Sequence, residues 1–512
     1  MKRPALMMLA TLLAALLSAA CLVRPAQAAP VAASTGVPEP APTPAGLVTQ
    51  DPTALRAAPR QSAPLLTPLW RGEALELRGE RGDYWQVWDP YRERGGFVLK
   101  QQVLRVDNLS ANDLLAMLTL VRDTPGAEGL GLGLATAAIE AAPAPWLGGP
   151  AGAATLDALG RMAQRLADRA TAGAAGRPQE QAALSAGLDV AARYGVRIVS
   201  LEIDGRMRLC YDGDAFLRLL AMQAASREQK AAAALALTRE DCRDPGLAPH
   251  AHEGLVAAQA ELLAQVGSDG LAPVWKNRLA LRDAALHSEL AFLRQRRGEV
   301  APASLAAAQA LADQARVTKT DLEDEDLQHW NETALRVNAV RWAVVPVTPP
   351  SGAGLSVKTT RQADGQTCVE LLDSRQPSAA PLVRRCTWGL VWSASASVSP
   401  EGRALALAVQ PADGWRELWI FRLEGTQWTL DVLPPAAAEP GLGCAEFAGW
   451  VPGGKQLLVA REAIAEGRSL RRFELLRLDT LGVDREAFDP AALGAFERWG
   501  DPQWRRASLA LR

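Results

Sequence analysis

Histidine is scarce: the 512 residues contain four, His250, His252, His287 and His329. A zinc site built on imidazole therefore has few places to form. Only His250-Ala251-His252-Glu253 brings two of them close together. Pro249 precedes that run and Glu253-Gly254 follows, the pattern of a loop opening into a helix, and no HExxH or comparable framework accompanies it. No metal ligand, cofactor site or catalytic residue is assigned. An excess of positive charge is also lacking. The net charge is −2, and becomes more negative if the N-terminal segment with Lys2, Arg3 and Arg24 is removed. Nothing here attracts a phosphate backbone, which excludes nucleic acid as the expected partner. Beyond the first residues no apolar run approaches the roughly 20 residues that a spanning helix needs, so no transmembrane segment is expected after signal removal.

What is present begins with export. Lys2 and Arg3 precede an apolar stretch from Ala5 to Ala20, and Ala26-Gln27-Ala28 supplies small residues at a cleavage position. This is the order of a secretory signal peptide over residues 1–28, with Ala29 as the mature N-terminus and a periplasmic or secreted product. An alternative processing runs through Leu17-Ser18-Ala19-Ala20-Cys21, which resembles a lipoprotein signal and would anchor the chain by lipid on Cys21. In an oxidising compartment the remaining cysteines read as structural. Cys210 is expected to pair with Cys242 and Cys368 with Cys386, leaving Cys444 odd, although spacing alone also allows Cys444 to take the place of Cys368 or Cys386.

Residues 29–45 are Ala, Pro, Ser and Thr with almost no large apolar side chain, a composition that cannot offset its ordering entropy, and they read as a linker. From Gly46 to Asp107 the pattern turns to short strands bounded by Gly and Asp. Thr53-Ala54-Leu55-Arg56-Ala57-Ala58-Pro59, Leu69-Trp70-Arg71-Gly72, Tyr84-Trp85-Gln86-Val87-Trp88 and Gly95-Gly96-Phe97-Val98 follow one another. Their order resembles the bacterial Src-homology-3-like (SH3-like) module, with Phe97 where that family usually has a closing Trp. The resemblance implies a small SH3-like β-barrel that binds peptidoglycan or an envelope protein. Alternation along the strand puts Trp88 on the face opposite Val87, so Trp88, Tyr91 and Tyr84 are the expected contact residues, while Trp85 reads as core.

Residues 108–340 read as an Ala-rich helical domain of seven or eight helices interrupted by one β-hairpin around Asp204-Gly205. Ser110-Ala111-Asn112-Asp113 opens the first helix as a capping box, and Thr320-Asp321-Leu322-Glu323 is expected to do the same for the last. The carboxylates at 321 and 323–326 then offset a helix dipole and need no ion. Trp275, Leu279, Leu286, Leu290 and Leu293 fall on one face of a long helix. Gly129, Gly131 and Gly133 read as an apolar loop.

Residues 341–512 switch to the period of strands and carry an internal repeat. Pro400-Glu401-Gly402-Arg403-Ala404-Leu405 aligns with Pro452-Gly453-Gly454-Lys455-Gln456-Leu457. The pattern is similar to the inner-strand signature of TolB-like β-propeller blades, and implies a partial propeller or a sandwich of meander sheets. The fold class expected is thus multidomain α+β, with a barrel, a helical domain and a C-terminal antiparallel β domain. The expected function is a non-catalytic envelope-binding protein. A cell-wall hydrolase using Cys210 or Cys242, or an assembly factor acting through the β domain, are the alternatives.

Overall fold

A computed structural model describes residues 45–173, 176–203, 205–347, 354–375, 380–437, 441–465 and 468–507. The expected signal peptide, Cys21 and the linker up to residue 44 lie outside the described residues.

The N-terminal sheet has seven strands: β1 (Ala45–Val48), β2 (Thr53–Arg56), β3 (Leu65–Leu69), β4 (Ala74–Arg81), β5 (Tyr84–Asp89), β6 (Arg94–Leu99) and β7 (Val103–Arg105). They run in the order β3-β2-β6-β5-β4-β1-β7. One face buries Val48, Leu55, Leu69, Leu75, Leu77, Val87, Val98 and Val103, with Trp85 packed against them. Alternate residues of the same edge point the other way, as the pleat requires. Leu47 on β1 and Val106 beyond β7 therefore join a second core, with Leu114, Leu118, Leu132, Met162 and Leu166 of the helices.

Those helices begin with α1 (Ala111–Val121), opened by the expected capping box in which Ser110 and Asp113 bond reciprocally. They continue as α2 (Glu128–Ala141), α3 (Ala144–Leu147), α4 (Pro150–Ala172) and α5 (Pro178–Arg193). A hairpin follows, β8 (Ile198–Ile203) and β9 (Arg206–Tyr211), then α6 (Asp214–Ala221), α7 (Arg227–Leu237), α8 (Pro249–Val266), α9 (Pro273–Arg297), α10 (Val300–Ala315) and α11 (Asp324–Val340). Eleven helices thus stand in this region where seven or eight were expected, because several are short.

Two local expectations are overturned. Gly129, Gly131 and Gly133 lie inside α2, not in a loop. Each is glycine because its face of the helix meets another element too closely for a side chain. A Cβ on Gly129 would sit 2.5 Å from the Arg71 carbonyl oxygen, and one on Gly131 would sit 2.0 Å from the Met162 side chain. The capping box at Thr320 does not form either. The N-cap of α11 is Glu323 without a side-chain bond, and Thr320 instead reaches its neighbour Asp321. The first-turn carboxylates Asp324, Glu325 and Asp326 remain where the dipole favours them.

The C-terminal region has a three-stranded sheet, β10 (Leu355–Arg361), β11 (Thr367–Asp373) and β12 (Val383–Thr387). It is followed by an eight-stranded sheet made of two antiparallel meanders. The first is β13 (Leu390–Val398), β14 (Ala404–Ala412), β15 (Trp415–Glu424) and β16 (Gln427–Leu433). The second is β17 (Leu442–Val451), β18 (Gln456–Ala465), β19 (Arg468–Arg477) and β20 (Val483–Ala487). The start of β15 runs parallel to β17 and joins the two. The sequence repeat falls on β14 and β18, the second strand of each meander. Short helices α12 (Gly494–Trp499) and α13 (Pro502–Ala507) close the chain. Both expected disulfides are formed, Cys210–Cys242 bridging β9 to the segment after α7 and Cys368–Cys386 across β11 and β12. No helix among the described residues is long and apolar enough to cross a membrane.

The helical region meets the eight-stranded sheet through buried charge. Arg416 and Glu446 are both about 1% exposed and form an ion pair. Glu446 also accepts from Asn338 of α11 at 2.8 Å and from the Trp504 indole at 3.1 Å, and lies 3.3 Å from Arg341.

Candidate functional site

Two surfaces can hold a ligand. The first is the aromatic face of the N-terminal sheet. Trp88 does lie opposite Val87 and is half-buried, with the Arg78 guanidinium 4.5 Å above its ring. Tyr91, in the turn after β5, is 63% exposed. Two arginines flank it: Arg92 at 5.9 Å and Arg193, from the end of α5, at 3.6 Å from the ring centre. Glu73 fixes both arginines, at 2.9 Å from Arg92 and 3.4 Å from Arg193, and Asp89 binds Arg92 at 2.7 Å. The hydrogen bonds that Arg92 donates to Glu73 hold it firmly cationic. Tyr84 does not belong to this face. It is 8% exposed, at the start of the central strand between Arg81 of β4 and Leu99 of β6, where cross-strand neighbours cover it. Arg193 was invisible to sequence reasoning, since it comes from a helix about a hundred residues downstream.

The second surface is a cleft of about 720 Å³ among α4, α7, α9 and α11. Sequence reasoning missed it entirely. Its walls follow the helical period: Arg161, Arg165 and Asp168 on α4; Leu235 and Ala236 on α7; Trp275, Arg278, Arg282 and Glu289 on α9; His329, Glu332 and Arg336 on α11. A periodic charged stripe of this kind reads, in sequence alone, like any solvated helix face.

Most of the cleft's arginines are neutralised by a carboxylate. Arg239 lies 2.9 Å from Asp168 and 2.7 Å from Asp241. Arg243 lies 2.6 Å from Glu289, and Arg278 lies 2.8 Å from Asp326. Burial works against the ionisation of Glu289, but Arg243 and His252 outweigh it and hold the carboxyl below its ordinary range. Arg336 spans from Glu240 to Asp413, 2.7 Å from each, and so ties the cleft to the β14–β15 turn. Burial, with Glu289 and Glu240, pushes the Asp413 carboxyl up to about 6 against the pull of Arg336.

Arg282 is different. Its Nη1 donates to the carbonyls of Leu235 and Thr238 and to the Thr238 hydroxyl, neutral acceptors at the C-terminal end of α7. No carboxylate among the described residues lies within ion-pair distance of it, although Glu240 and Asp241 act on it from farther off. Burial first, and then the nearby Arg243, push its pKa down to about 10. A cation disfavoured in this way gains from an incoming anion.

The five cysteines from Cys210 onward and two of the four histidines have fixed surroundings. Cys210 and Cys242 are bridged to each other. Cys444 is buried, and burial pushes its thiol up to about 12. His252 sits 2.6 Å from Glu289 and His287 2.6 Å from Asp313. Glu253, the other member of the His-Ala-His-Glu run, binds Arg294 and Arg297. No group of three or more His, Cys, Asp or Glu among the described residues is placed to hold a metal ion. No family model, curated protein or solved structure matches this chain.

Proposed function

We propose that the chain is an exported cell-envelope protein whose N-terminal sheet is an SH3-like module contacting peptidoglycan or an envelope protein, without catalysis of its own. The signal-like N-terminus supports export, and the two disulfides are compatible with it. One observation carries the binding role: Tyr91 is 63% exposed, with Arg92 and Arg193, both held by Glu73, at its ring. Exposed aromatic rings next to polar groups favour contact with a peptide or a sugar. Trp88 and Tyr91 are the contact residues of this reading, with Arg193 added.

The two meanders of the C-terminal region are consistent with blade-like units and favour a scaffold or assembly role for that part. The hydrolase alternative draws no support from Cys210 or Cys242, since a bridged cysteine offers no thiolate.

The test is co-sedimentation of the full mature chain with purified sacculi, with released muropeptides scored in the same tube. An isolated N-terminal fragment is unsuitable, because it would expose Leu47 and Val106. We expect pelleting without release, reduced at least fivefold in Trp88→Ala and Tyr91→Ala. Release of fragments by the wild type would overturn the non-catalytic reading. Failure to pellet would exclude the wall and leave a protein partner.

A further inference from the structure

The helical cleft has chemistry that the N-terminal sheet does not explain. We infer that it binds a short peptide with free termini, whose carboxylate is received by Arg282 and whose ammonium is received by Glu332. The inference does not rest on the reading of the N-terminal sheet.

The volume, about 720 Å³, lies in the range of small-molecule sites and is roomy enough for a few residues of chain. The charges decide the class. Arg239, Arg243, Arg278 and Arg336 are each spoken for by a carboxylate, as described above. Arg282, which lines the cleft, has none at ion-pair distance; its Nη1 donates to neutral acceptors of α7 and its C-terminal end, with Glu240 and Asp241 acting from farther off. A carboxylate can meet a guanidinium in the fork geometry that it favours. On the α11 side, Glu332 has no cationic partner among the described residues and accepts only from the Gln328 amide, at 3.0 Å. It lines the same cleft and stands one turn from His329. The lining also carries apolar side chains, among them Phe216, Leu235, Trp275 and Leu281.

A ligand matching this pattern carries a negative end, a positive end and an apolar or neutral body. Free peptides fit. A polyanion does not, because Asp168, Glu240 and Asp241 also face the cleft and would repel it. A purely apolar ligand would desolvate Arg282 further without giving it an ion-pair partner.

The experiment is equilibrium dialysis of the full mature chain against a mixed-sequence tripeptide pool, with mass-spectrometric readout. Three forms of the pool are compared: free at both ends, C-terminally amidated, and N-acetylated. The free pool is expected to be retained at least tenfold better than either blocked pool. Glu332→Gln should bind the free and acetylated pools alike. Arg282 also caps α7, so Arg282→Gln risks unfolding the helix; Arg282→Lys keeps the charge, loses the fork, and should lower retention of the free pool several-fold while the circular dichroism stays unchanged. Trp88→Ala should leave retention untouched, which separates this site from the aromatic face. No retention of any pool, or equal retention of a blocked pool by the wild type, overturns the inference.

Discussion

The same chemical change, glycine to alanine, should have opposite signs at two positions of this chain. Gly254 lies inside α8 with nothing within 4 Å of an added Cβ. Alanine there should stabilise by about 0.5–1 kcal/mol, from helix propensity and a less disordered unfolded chain. Gly129 lies inside α2 and would gain the same propensity. Its Cβ, however, would stand 2.5 Å from the Arg71 carbonyl oxygen, well inside any normal contact. Neither side can give way easily. The Arg71 guanidinium donates to the Gly126 carbonyl at 3.2 Å. Gly72, next along, sits at φ +87° and bonds to Val48 at 2.8 Å, while its own carbonyl accepts from the Tyr194 hydroxyl at 2.7 Å. Overpacking a pinned contact costs about 1–3 kcal/mol, so Gly129→Ala should be destabilising by about 1–2 kcal/mol net. Urea melts followed by circular dichroism, with the slope unchanged, measure both variants. If Gly129→Ala raises the midpoint as Gly254→Ala does, the close docking of α2 on the N-terminal sheet is wrong.

Two further outcomes are expected. Glu446→Gln removes the counter-charge of a fully buried Arg416 and weakens the contacts to Arg341, Asn338 and Trp504; it should cost about 3–5 kcal/mol, read as a lower denaturation midpoint. For pH, the Asp413 carboxyl stands at about 6 in the folded chain, above its ordinary 3.8. The folded state therefore takes up this proton before the unfolded state does, and the group adds stability as pH falls from about 6 towards 4. Between pH 7 and pH 5 the melting temperature of the wild type should rise relative to Asp413→Asn; a parallel response of the two proteins refutes the raised value.

Much of the architecture was legible because it rests on local rules. Strand alternation placed Trp88 opposite Val87, the Ser110 capping box formed as its spacing demands, and both disulfides join the expected cysteines. The misreadings share one cause, tertiary context. Gly129, Gly131 and Gly133 look like a loop until Arg71 and Met162 are seen against the helix that carries them. Tyr84 looks like a surface ring until β4 and β6 close over it. The helical cleft was not legible at all, since Arg282 differs from Arg278 in having no carboxylate at ion-pair distance, Glu240 and Asp241 acting on it only from farther off. That difference is set by α7 and α11, far away in the chain.

The division of β1 and the end of β7 between two cores has a consequence for how the molecule is made. A chain is synthesised N-terminus first, so the seven strands emerge before the helices that cover Leu47 and Val106. Until α1, α2 and α4 follow, that apolar edge faces solvent, and the Gly72 carbonyl waits for Tyr194 at the far end of α5. The N-terminal sheet alone would leave this apolar surface open to self-association over that interval. Any factor that escorts the nascent chain would have its reason to bind there, and would be displaced as the helices dock.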